Sequence, residues 1–357
     1  MTTESKLFQS VTIGRYPLKN RLVMAPMTRS RADDNGVPSE LVPTYYAQRA
    51  GAGLIISEGI YPSPMGKGYV RTPGIHSDAQ VAAWKKVTDA VHAKGGLIFA
   101  QIMHAGRISD PSFLPGGATP VAPSAVRPNG QSYTDEGMKP HVTPRALALE
   151  EIPGVIAEYA QATRRALEAG FDGVELHGAS GYLPMQFLSS GANRRTDRYG
   201  GSAENRARFI VETLRAMVTV AGADRVGIKL SPEMAFNDIT DANPAETYAA
   251  LVTAISSMGL AYLHVTPYGK DVDYHALLRP LFHGPYLAGA GLTQASAERL
   301  LQKGTADAAV FGTLFLANPD LPERFRRGAA LNAPDQSTFY SPGPMGYIDY
   351  PTLAQAA

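Results

Sequence analysis

Eight short apolar runs punctuate this chain from one end to the other, with longer helix-patterned stretches between them. The runs are 21–25 (RLVMA), 53–58 (GLIISE), 96–103 (GLIFAQIM), 172–177 (DGVELH), 225–230 (RVGIKL), 260–266 (LAYLHVT), 285–290 (PYLAGA) and 308–312 (AAVFG). Most are continuously apolar rather than alternating, the pattern of parallel strands covered on both faces. Eight β-then-α units in 357 residues predict one closed (β/α)8 barrel spanning 1–357. A doubly wound open sheet is the alternative, but no GxGxxG turn favours it.

The intervening segments carry helix signals. Val81, Trp84, Val87, Thr88 and Val91 share one helical face in 78–94, and Ser77 with Gln80 forms a capping box ahead of them. Asn243-Pro244 and Asn318-Pro319 each place a capping Asn before a Pro suited to a first helical turn. One stretch breaks the rhythm. Residues 105–149 are rich in Pro, Gly, Ser and Asn without clear periodicity, and a connection that long after the third strand predicts a lid or side wall over the barrel mouth.

Composition narrows the function. A net charge of +1 argues against nucleic acid or an anionic membrane as the main partner. The chain has no cysteine, which excludes disulfides, thiolate catalysis, iron–sulfur clusters and Cys-ligated zinc. The segment MTTESKLFQS has neither a basic nor an apolar leader region, and no stretch approaches the roughly 20 apolar residues of a membrane span. A cytoplasmic protein is expected, as a monomer or small homo-oligomer.

In (β/α)8 barrels the site is built at the C-terminal strand ends. Here those ends read Ala25-Pro26-Met27-Thr28, Ser57-Glu58-Gly59, Gln101-Ile102-Met103-His104 and Glu175-Leu176-His177, the last running on through Ser180 and Tyr182. Lys229 lies on the fifth strand, and the last two end in Gly289-Ala290-Gly291 and Gly312-Thr313. Hydrophobic burial accounts for the strand bodies but not for Thr28, Gln101, His177 and Lys229. Polar groups converging from four strands mark a ligand site. Glycines at the last two ends let backbone N–H groups approach a phosphate, although small residues there also simply relieve crowding.

Several segments together resemble the old yellow enzymes, FMN-containing ene-reductases. They are NRLVMAPMTRSRA (20–32), TYYAQRAGAGLIISEG (44–59), KGY (67–69), QIMHAGR (101–107), VELHGASGYL (174–183), NRRTDRYGGSAENRAR (193–208), FGTLFLANPDL (311–321) and FYSPGPMGYIDYP (339–351). The resemblance implies FMN as cofactor and NADPH or NADH as reductant in a ping-pong cycle. It places Pro26, Met27, Thr28, Gly59 and Gln101 at the flavin ring, Lys229 beside its N1 and O2 edge, and Gly291, Gly312 and Thr313 at the phosphate. Substrate oxygen would meet His177 and Ser180, Tyr182 would protonate the α-carbon, and Thr28, Tyr69, Met103 and Tyr340 would complete the substrate pocket. Activated alkenes (enones, enals, nitroalkenes) and nitro compounds are the implied small-molecule substrates.

Four positions depart from that family. Ser180 stands where Asn or His is usual, Met103 where most members have Trp, Lys229 where they have Arg, and Thr313 where an arginine usually holds the phosphate. The last two predict looser FMN binding. They also keep open a drifted member acting as a biosynthetic isomerase or desaturase, or as a flavin-poor binding barrel.

Other classes fit less well. Glu58 and Glu175 at strand ends could serve a glycosidase, but the lone Trp84 sits in a helical segment rather than on a sugar platform. His104 either supports the site or serves a turn. His104 and His177 lie on different strands without a carboxylate at metal-binding spacing, so no metal site is expected. The charged residues of 194–206 read as a surface loop locked by ion pairs, and Lys229 could pair with Glu175 or Glu58.

Overall fold

A computed structural model describes residues 5–356 of the chain. All eight apolar runs form strands, within two residues of the predicted limits: β1 (Leu22–Met24), β2 (Leu54–Ile60), β3 (Ile98–Ile102), β4 (Gly173–Gly178), β5 (Val226–Leu230), β6 (Tyr262–Val265), β7 (Tyr286–Ala288) and β8 (Ala308–Phe311). They pair in parallel, each with its sequence neighbour, and β8 returns to β1 through Ala309↔Leu22, Val310↔Val23 and Phe311↔Met24, closing the barrel. Every residue in these strands is buried except Lys229. That explains why the runs lack alternation: one face packs inside the barrel and the other under the helices.

The helical layer follows from spacing and caps. In the helix Asp78–His92, Ser77 accepts from the Gln80 backbone while the Gln80 side chain reaches back, as the sequence predicts. The helix Ile152–Glu168 buries Ile152, Val155, Ile156, Tyr159, Ala162, Thr163 and Ala166, a stripe of helical period. Fully burying each large apolar side chain of such a stripe contributes about 1.5–3 kcal/mol. Neighbouring helices interlock through stacked rings, as where Phe187 lies 4.2 Å from Phe209.

The two Asn–Pro signals turn out differently. Pro244 does open the helix Pro244–Ile255 behind Asn243, though the Asn243 side chain makes no capping bond. Asn318 is not a cap at all. The next helix begins at Leu321 with Asp320 before it, and the Asn318 amide instead donates to the Leu314 carbonyl while its oxygen accepts from the Asn332 backbone. Asn318 thus ties two chain segments together rather than starting a helix.

The excursion after β3 is more regular than its composition suggests. It contains a parallel pair, Val121–Ala122 with Arg145–Ala146, and a hairpin of Gln131–Thr134 with Gly137–Pro140. In the first hairpin strand the small polar Ser132 and Thr134 are buried while Tyr133 is exposed. The inverted polarity hides the strand from a hydrophobicity reading.

Candidate active site

Parallel strands deliver all their C-terminal ends to one mouth, and the burial pattern marks it. Beyond β1, Ala25, Pro26, Met27 and Thr28 are partly exposed between the buried Met24 and Arg29. His177, Lys229 and His264 are register neighbours across β4, β5 and β6, so three basic side chains sit in one row. Glu175 is the register partner of Gln101. Its two carboxylate oxygens accept from Gln101 Nε2 at 2.7 Å and from His264 Nδ1 at 3.0 Å. Glu58 belongs to a separate network. It sits in a bulge of β2, and its carboxylate accepts the Arg29 backbone N–H at 3.3 Å. The two carboxylates therefore serve different structural partners, which removes the support for a glycosidase pair.

His177 is held as a neutral donor. Burial, helped by Lys229 and His264, pushes its pKa well below the usual range. The Ala179 backbone N–H approaches its Nδ1 at 3.3 Å, which puts the ring proton on Nε2. Ser180 and Gly181 both have positive φ, 57° and 76°, and Tyr182 N–H closes the turn on the Ala179 carbonyl at 3.2 Å. Left-handed backbone at both central residues reverses the chain as in a type I′ turn. Gly181 is needed there, since a Cβ would lie 2.8 Å from the Phe236 carbonyl oxygen. The reversal brings the Tyr182 ring edge-on to His177, with centroids 4.9 Å apart.

A further group of side chains assembles around that pair. Tyr69 and Tyr182 share a hydroxyl hydrogen bond of 2.9 Å, and Met103 packs in the same cluster. Gly59 lies directly beneath Met103: a Cβ on it would be 2.6 Å from the sulfur. Ser180 is partly exposed, its backbone tied to Ser231 Oγ and to Asn237 Nδ2. Tyr340 stands exposed at the rim, near enough to both phenols to bear on their ionisation. At the opposite side Gly291 has φ 61° with open space around it, and Gly312 precedes the short helix Thr313–Ala317.

Three features escaped the sequence reading. Asn237, in the loop after β5, donates to the Ser180 carbonyl at 2.8 Å and approaches both Tyr69 and Tyr182. His264 completes the Glu175 network. Arg29 and Arg31, immediately after Thr28, hold the tail by its carbonyls: Arg29 bonds Gly346 at 2.8 Å, and Arg31 bonds Thr338 at 2.9 Å and Phe339 at 2.8 Å. His104 lies apart, its Nδ1 accepting the Gly106 N–H, at the wall of a side cavity of about 550 Å³ with Met65, Val121, Leu147 and Glu158.

A profile of the NADH:flavin oxidoreductase / NADH oxidase family matches residues 6–332. The chain belongs to this family. It is 42% identical over 379 residues to 12-oxophytodienoate reductase 7 of Oryza sativa subsp. japonica, covering 99% of this chain and 96% of that one. A Leishmania infantum protein described as a probable flavin mononucleotide-dependent alkene reductase is 43% identical over 361 residues, with 97% of each chain covered. Among solved structures, morphinone reductase superposes with a TM-score of 0.94 at 46% identity, covering 99% of this chain and 98% of its own. An old yellow enzyme homologue from Zymomonas mobilis gives 0.95 at 40%, covering 98% and 100%. The chain is thus an FMN-dependent oxidoreductase of the old yellow enzyme type on a (β/α)8 barrel.

The mouth of this old yellow enzyme relative suits the cofactor its family uses. Among the described residues, the Thr28 hydroxyl and the Lys229 ammonium have no hydrogen-bond or ion-pair partner. Thr266 Oγ1 is buried with none. Lys229 is desolvated, which lowers its pKa, while Glu175 favours its charge. An uncommitted cation, two free hydroxyls and an open glycine corner together fit a planar polar ring with an anionic tail.

Proposed function

We propose that this enzyme reduces activated C=C bonds, in enones, enals and nitroalkenes, with electrons from NAD(P)H in a ping-pong cycle through one pocket. FMN, when bound, would supply the hydride-transfer chemistry that links the nicotinamide to the alkene β-carbon. Thr28 and Gln101 hold the ring beside the Pro26, Met27 and Gly59 backbone. Lys229 stabilises negative charge at the ring edge, and Gly291, Gly312 and Thr313 receive the phosphate. The solved complex of morphinone reductase with tetrahydroNAD supports a nicotinamide as the reductant.

Substrate binding falls to His177, whose neutral Nε2–H donates to the carbonyl or nitro oxygen and stabilises the oxyanion that develops there. Ser180 offers a shorter second donor. Tyr182 protonates the α-carbon. Its pKa is raised by burial, so the proton is retained at neutral pH and is given only to a strongly basic carbon. Met103, a flexible thioether packed in the cluster with Tyr182, makes this wall adaptable. The observation that carries this reading is the edge-on pairing of a neutral His177 with a protonated Tyr182 at one barrel mouth.

Separate stopped-flow traces of the two half-reactions test it. Tyr182→Phe leaves flavin reduction by NAD(P)H near the wild-type rate. Alkene reduction slows by about a hundred- to ten-thousandfold, the usual weight of general acid catalysis. Nitro-group acceptors, which take hydride without carbon protonation, are spared. Equal slowing of both halves would show that Tyr182 only shapes the pocket. Thr313 supports a second reading, a flavin-poor relative, which predicts no spectral change when the protein is titrated with millimolar FMN.

A further inference from the structure

We propose that Tyr69 is the positioning residue for the proton donor: it donates its hydroxyl proton to the Tyr182 oxygen, aims the Tyr182 proton at the substrate α-carbon and stabilises the phenolate left behind. This rests on the reading of Tyr182 as the donor. The two hydroxyls lie 2.9 Å apart, and each has one proton to place. Were Tyr182 the donor in that bond, its proton would point at Tyr69 and away from substrate. With Tyr69 as donor, the Tyr182 proton is free to face the space beside His177.

The local fold builds this orientation. Gly66 accepts the Ala105 N–H at 3.0 Å, and Gly68 packs so close that a Cβ would be 2.4 Å from Ala105 Cβ. The following residue, Tyr69, is thereby fixed, and Thr72 Oγ1 caps its carbonyl at 2.9 Å. Its ring meets Tyr182 edge-on, the planes at 85° and the centroids 6.3 Å apart. Asn237, held by its bond to the Ser180 carbonyl, approaches both phenols and favours their ionised forms.

Burial raises both phenols, so each oxygen holds one proton at neutral pH. The step balances accordingly. When hydride adds to the β-carbon, the π pair passes to the α-carbon, which forms its C–H bond with the Tyr182 proton as the O–H bond breaks. The phenolate then takes the Tyr69 proton across the existing hydrogen bond. Tyr69, partly exposed where Tyr182 is buried, recovers a proton from water at the mouth.

A double-mutant cycle on the FMN-loaded enzyme decides the matter, with 2-cyclohexenone as acceptor and the half-reactions followed by stopped flow. Tyr69→Phe slows the alkene step by about ten- to a hundredfold, the worth of one hydrogen bond to a developing charge. Reduction by the nicotinamide stays within about twofold. In a Tyr182→Phe background the same substitution has no further effect, because Tyr69 acts only through Tyr182. Independent, multiplying losses would overturn the proposal and make Tyr69 a pocket wall, as would an unaffected Tyr69→Phe. If Tyr182→Phe alone leaves the alkene step unchanged, the donor assignment falls and this inference with it.

Discussion

The Ala179 backbone N–H points at His177 Nδ1 over 3.3 Å, so the imidazole presents Nε2–H, and only Nε2–H, as its donor. Burial reinforces this by holding the ring neutral. His177→Ala should therefore raise the dissociation constant for 2-cyclohexenone about tenfold or more, the cost of leaving the ligand oxygen without its donor. Because the His177 pKa is pushed down, ligand affinity in the unmodified protein stays level from about pH 6 to 8. A break near pH 6.5 that vanishes in His177→Ala would contradict the neutral-donor assignment. Flavin absorbance titrations at several pH values measure both.

Ser180 occupies left-handed backbone, φ 57°, where an ordinary L-residue costs roughly 1–2 kcal/mol and asparagine less. Ser180→Asn should relax that strain and extend a second donor toward the ligand. A melting temperature higher by about one or two degrees and several-fold tighter enone binding are expected. Weaker binding with unchanged stability would mean that residue 180 does not face the ligand.

Thr313 is exposed at the start of a short helix, immediately after Gly312. No guanidinium stands at that position. Thr313→Arg should tighten FMN about ten- to a hundredfold, since one charge-assisted phosphate contact contributes about 1.5–3 kcal/mol. Riboflavin, lacking the phosphate, should gain nothing. Fluorescence titration of the apoprotein with both ligands separates a phosphate contact from a general change in the site.

Glu58 gives a pH signature of stability. Burial raises its pKa from 4.5 to about 7, against the opposing pull of the Arg29 backbone and the Arg29 and Arg31 charges. Its folded-state pKa is above its unfolded one, so folding retains a proton that the unfolded chain releases. The stabilising contribution is complete below about pH 4.5 and is lost as pH rises through about 7. Glu58→Gln should be near neutral at pH 4 and stabilising at pH 8 by on the order of 3 kcal/mol. Denaturant unfolding at the two pH values tests this, and equal differences at both would refute it.

The barrel was legible because its strands are apolar on both faces, a signal that survives without knowledge of neighbours. Thr28, Gln101, His177 and Lys229 stood out for the converse reason, as polar residues at strand ends. What stayed hidden depends on contacts between distant segments. Tyr69 and Tyr182 are 113 positions apart, and nothing local in either foretells a shared hydrogen bond. Asn237 looked like one more loop residue until its loop folded over Ser180. His264 lies inside an apolar run, and its pairing with Glu175 follows only from barrel closure. Asn318 misled because capping and loop-tying use the same side-chain groups.

The arginine clamp has a consequence for how the molecule is made. Arg29 and Arg31 emerge from the ribosome early, yet their acceptors are carbonyls of residues 338–346, more than three hundred positions later. Until that stretch is synthesised, two guanidinium groups at the mouth lack the partners that justify their burial. The mouth end of β1 therefore stays unclamped until nearly the end of translation. Contacts of such long sequence separation make late, slow closure the expected folding step, so a ribosome stalled before residue 346 should display a protease-sensitive chain.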